Sequence, residues 1–115
     1  MTHLTHYEAL RERIEELNAN LTKAYNARNK AYEARFKADE VVTESGVIFE
    51  RVIAAGNTTK EEHQMAKKDQ ITAYRAYQVR CEACNAARIY CSDAYRALLE
   101  IKAKAEYVQL RCPQA

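Results

Sequence analysis

Apolar residues recur at three- and four-residue steps from Leu4 through Leu10, Ile14, Leu17 and Leu21, the spacing of one helical face. Over 23–37 the large aliphatics give way to a tandem heptad, Ala-Tyr-X-Ala-Arg-X-Lys, which fills 24–30 and again 31–37. The tetrad Ala-Tyr-X-Ala returns at 73–76 and, three heptads on, at 94–97. Gly56-Asn57, the strongest turn signal in the chain, separates the two pairs. A fold back there is expected to set alanine face against alanine face, with the tyrosines filling the edges of a close backbone contact.

The pattern predicts a helix over about 4–55, a turn over about 56–59 and a helix over about 60–111, in a single helical domain. At the first terminus Thr2 or Thr5 is the expected cap, with Glu8 completing a capping box. Gly56 ends the first helix, Asn57 to Thr59 connect and cap, Glu61 and Glu62 supply an acidic first turn, and Pro113 ends the second helix. The fold class is all-α: a long antiparallel, coiled-coil-like hairpin with arms of about 75–80 Å at 1.5 Å per residue. Facing positions that sum to about 114 would set Asp39, Glu40 and Glu44 against Lys67, Lys68 and Arg75.

Two helices do not account for all the apolar surface. One stripe of the second helix carries Cys81, Cys84, Cys91 and Cys112 with Tyr74, Tyr77, Tyr95 and Leu98; a second row carries Ala83, Ala87, Tyr90, Ala94, Ala97 and Ile101. Val79, Ile89 and Leu99 fall outside both. A helix apolar over that much of its circumference needs a further neighbour. A homodimer making a four-helix bundle supplies one, and a fold-back at Ser45-Gly46 giving a three-helix monomer is the alternative; the matching arm lengths favour the dimer.

With two glycines and one proline in 115 residues, there is little material for phosphate-cradling loops or hairpins. A net charge of +2 gives no general argument for nucleic acid. No secretory segment opens the chain and the apolar runs fall short of the ~18 residues of a membrane span, so a soluble, cytoplasmic protein is expected. Four cysteines then read as reduced, buried thiols. The alternative is a thiolate metal or redox site on Cys81 and Cys84, completed by Cys91 or a second chain, although their helical setting is not the knuckle that structural zinc uses. No cofactor or metal is expected. His3 and His6 read as exposed, with Met1-Thr2-His3 a weak copper or nickel motif, and no set of residues for catalysis is present.

Two surfaces stand out. Val47, Ile48, Phe49, Val52 and Ile53 form an apolar tip facing the mostly polar Glu61 to Met65, and are expected to bind a protein partner or a second copy. Lys23, Arg28, Lys30, Arg35 and Lys37, with Arg80 and Arg88 opposite, form a basic waist against Glu33 and Glu82. It suits an acidic protein surface or, as the alternative function, a nucleic-acid backbone.

Thr5-His6-Tyr7-Glu8-Ala9-Leu10-Arg11-Glu12 resembles the opening of small accessory proteins from the early regions of lambdoid bacteriophages. The resemblance implies a phage or mobile-element protein that binds and inhibits or redirects a host protein. The expected function is therefore a non-enzymatic, macromolecule-binding helical protein.

Overall fold

In a computed structural model, which describes residues 3–111 and the side-chain surroundings of 6–107, the chain is an all-α hairpin. Helix α1 spans His3–Ala54 and helix α2 spans Lys60–Arg111, antiparallel to it. Because α1 already begins at His3, Thr5 lies inside it and the Thr5–Glu8 capping box does not start the helix; Thr2, Cys112 and Pro113 lie outside the described residues. Nor does the chain fold back at Ser45-Gly46. Ser45 returns its hydroxyl to the Val42 carbonyl at 3.0 Å, Gly46 keeps a helical φ, and α1 continues unbroken, since one glycine costs a helix only about 1 kcal/mol.

The connection is built from backbone needs. Gly56 takes φ +72°, the left-handed conformation that closes a helix C-terminus, and Ala55 N–H bonds the Arg51 carbonyl at 3.0 Å. Thr59 accepts the Glu62 N–H on its hydroxyl at 3.1 Å and caps α2. Thr58 spans the turn: its hydroxyl donates to the Val52 carbonyl at 2.9 Å and accepts from His63 Nε2.

Two compact units occur along the hairpin, Met1–Arg28 with Ala87–Ala115 and Asn29–Ala86. In the first, Leu17, Leu21 and Leu98 form the core, with Ile14, Ala94, Ala97 and Ile101 against it. In the second, the Cys84 thiol donates to the Ala31 carbonyl at 3.2 Å, and Gly46 lies beside Gln70. Facing positions therefore add to 115, as 31 and 84 do, one more than the sequence pattern suggests.

One rule describes the seam in both helices. Positions divisible by seven (a) and those three beyond them (d) are buried or half-buried from 7 to 52 and from 63 to 105, except Arg35 and Arg80. Since 115 is three more than a multiple of seven, every a faces a d, as antiparallel helices require. Among the described residues all nine that are buried sit on this seam, and of them only Ala24 is fully enclosed. A pair of helices touches along one stripe only, which leaves the other faces in solvent.

Candidate functional site

The four Ala-Tyr-X-Ala tetrads share one heptad phase, so each side chain type has a fixed place. The first alanines (Ala24, Ala31, Ala73, Ala94) stand at d in the seam, where Ala24 and Ala73 are buried. The last alanines (Ala27, Ala34, Ala76, Ala97) stand at g on one flank, Ala27 and Ala76 exposed. Ala34 and Ala97 are half-buried, Ala97 against the Leu17–Leu21–Leu98 core, so the g alanines join the packing in two tetrads and not in the other two, which corrects the expectation of alanine face against alanine face. The tyrosines occupy e on the opposite flank and do not seal the seam: Tyr74 is 51% and Tyr95 49% exposed.

The cysteine stripe divides the same way. Cys84 and Cys91 are buried at a, in line with Tyr77 and Leu98, whereas Cys81 is half-buried at e, in line with Tyr74 and Tyr95. A hydrogen bond to Cys81 raises the Tyr77 phenol above its usual value; the Cys81 charge, burial and the Asp39 carboxylate act in the same direction and Arg35 opposes them. Among the described residues no group of three His, Cys, Asp or Glu could hold a metal ion, and no helix is long and apolar enough to cross a membrane.

Neither surface picked out by sequence is a single patch. Of the apolar tip, Phe49 and Val52 are half-buried seam residues, facing Ala66 and His63 in the register, while Val47, Ile48 and Ile53 point outward at f, g and e. Of the basic set, Lys23, Lys30 and Lys37 are exposed at c along the outside of α1. Arg28, Arg35 and Arg80 occupy seam positions, and Arg88 is exposed at e. The guanidinium groups of Arg28 and Arg35 stack over the rings of Tyr25 and Tyr32, at 5.0 and 5.3 Å to the centroids, Arg28 half-buried and Arg35 exposed.

Two surfaces emerge in their place within the unit 29–86. The first runs along the outside of α1, where Val47 and Ile48 lie beside Asp39, Glu40, Thr43, Glu44 and Arg51. It is apolar with an acidic border. The second is a groove on the e flank, between Val42 and Phe49 of α1 and Ile71 and Tyr74 of α2, bordered by Lys67, Gln70, Arg75 and Gln78. Gly46 lies at e between Val42 and Phe49, and its missing side chain leaves the groove open there; even a Cβ would stand 3.3 Å from Gln70 Nε2. Tyr32, Phe36 and Tyr77 continue the same flank, with Phe36 65% exposed. Sequence reasoning missed the groove, although glycine at an e position between two bulky a residues was its signal. Compared with protein-family models, curated proteins and solved structures, the chain matches none.

Proposed function

We propose that this chain is a non-enzymatic interaction protein, working in the cytoplasm as a homodimer and binding a second protein through the outer face of α1 over 40–51. The observation that carries the reading is the pairing of solvent-facing Val47 and Ile48 with Glu40 and Glu44 on that face. Apolar side chains bordered by carboxylates fit a partner surface that is apolar at its centre and basic at its rim. Free thiols at Cys81, Cys84 and Cys91 support a reducing compartment. The resemblance of residues 5–12 to lambdoid phage accessory proteins supports a host protein as the target, bound so as to inhibit or redirect it. Nucleic acid is supported less, because the seven cations of the basic set do not share a face.

The test is a pull-down from host-cell extract with the wild-type chain and with Val47→Asp/Ile48→Asp. The target retained by the wild type should be lost by the variant at unchanged helicity and mass. Equal retention by both chains overturns the reading.

A further inference from the structure

The e-flank groove is unfilled by the chain itself, and we infer that a second copy fills it in one particular alignment: the two hairpins lie face to face pointing the same way, so that α1 of each crosses α2 of the other. This rests on the homodimer reading above and adds to it the face, the direction and the pairing.

Area is the first argument. A folded monomer of 13.2 kDa exposes roughly 6,400 Å², whereas this chain exposes 8891 Å². The excess is roughly 2,500 Å² per chain, the amount that one partner contributes to a large obligate dimer interface. The groove flank supplies the apolar part of it, from Phe49 and Tyr74 at its centre to Phe36 beyond.

Charge decides the alignment. Asp39 and Glu50 are exposed on the α1 side of this flank, Arg75 and Lys67 on the α2 side, and among the described residues none of the four forms an ion pair within the chain. With facing positions adding to 115, Asp39 is level with position 76 and Glu50 with position 65. Arg75 and Lys67 are thus within two residues, about 3 Å, of those levels at the helical rise. Rotation by 180° about an axis parallel to the helices keeps the levels and exchanges the sides. Asp39 then meets Arg75 of the partner subunit and Glu50 meets Lys67 of the partner subunit, with both pairs made twice. Reversing one hairpin instead lays α1 on α1, bringing Asp39 to Glu50, and α2 on α2, bringing Lys67 to Arg75. Exposed ion pairs add little affinity, but like charges set against each other reject a register, so the apolar area holds the dimer and the charges choose its direction.

Two oppositely charged double variants test this by light scattering and circular dichroism at micromolar concentration. The wild type should give twice the 13.2 kDa chain mass. Asp39→Arg/Glu50→Lys and Lys67→Glu/Arg75→Glu should each lose the dimer alone, and an equimolar mixture should recover it, because every pair is attractive in the heterodimer. A wild-type dimer whose mass neither variant changes overturns the alignment and leaves the homodimer standing. A wild type of single-chain mass overturns both. If a variant alone loses helicity, recovery of helix and double mass on mixing still supports the alignment, and failure to recover overturns it.

Discussion

The thiol of Cys84 hydrogen-bonds the backbone carbonyl of Ala31, fifty-three positions earlier in the chain, at 3.2 Å. A side chain on α2 reaches the main chain of α1 because Ala31 presents only a methyl group at the seam. A single larger residue there would hold the helices apart.

Ala31→Leu should therefore cost about 1 to 3 kcal/mol by overpacking, and Ala24→Leu similarly, since Ala24 is fully buried. Ala76→Leu, on the exposed g flank, should change stability by no more than about 0.5 kcal/mol. Urea melts of the three variants separate the d alanines from the g alanines. Equal losses at positions 31 and 76 would mean that both flanks are packed.

The cysteines should react in order of their row. In variants retaining one cysteine each, Cys84 and Cys91 should label with a thiol-reactive dye only as fast as the chain opens, and Cys81 faster. Equal native rates for Cys81 and Cys84 would remove the distinction between the a and e rows.

The direction of the hairpin was legible in the sequence because turn chemistry is local: Gly56, Thr59 and the acidic first turn of α2 are each read from adjacent residues. The seam was half legible. Ala-Tyr-X-Ala shows that small residues recur in helical phase, but alanine reads the same at d and at g, and only the facing sum tells them apart. Arg28, Arg35 and Arg80 misled for a related reason, since cations at seam positions look like surface residues, and two of the three, Arg35 and Arg80, are indeed exposed. Distinguishing the exposed Val47 and Ile48 from the seam residues Phe49 and Val52 needed the phase to within one position.

Arg35 and Arg80 face each other in the register, one at a and the other at d. Polar residues at such positions fix register at a cost in stability. Arg35→Leu should raise the melting temperature of the hairpin, by an amount corresponding to about 1 kcal/mol, by restoring an apolar seam residue beside Ala38. A lower melting temperature would show that the stacking of Arg35 on Tyr32 outweighs the lost seam contact.

The phenol of Tyr77 should titrate above its ordinary value of 10.0, followed by NMR of labelled tyrosine with Tyr77→Phe as the assignment control. Cys81→Ala should lower the midpoint by removing the principal cause of the shift. With the folded-state value raised, the protonated phenol stabilises the fold fully below pH 10.0, and this contribution is lost as pH rises through the folded midpoint. A midpoint unmoved by Cys81→Ala would place the cause elsewhere.

The common phase of the two arms makes length a modular property of this molecule. Because each a faces a d in both helices, excising seven residues from α1 together with the seven that face them on α2 leaves every surviving pair seated as before. The tandem heptads at 24–30 and 31–37 are two such modules side by side. A one- or two-residue insertion in one arm instead rotates the side chains beyond it away from the seam. Sequences of this kind keep their seam unchanged when they lengthen or shorten in whole heptads, taken from both arms at once, while the Gly56–Thr59 turn stays as it is.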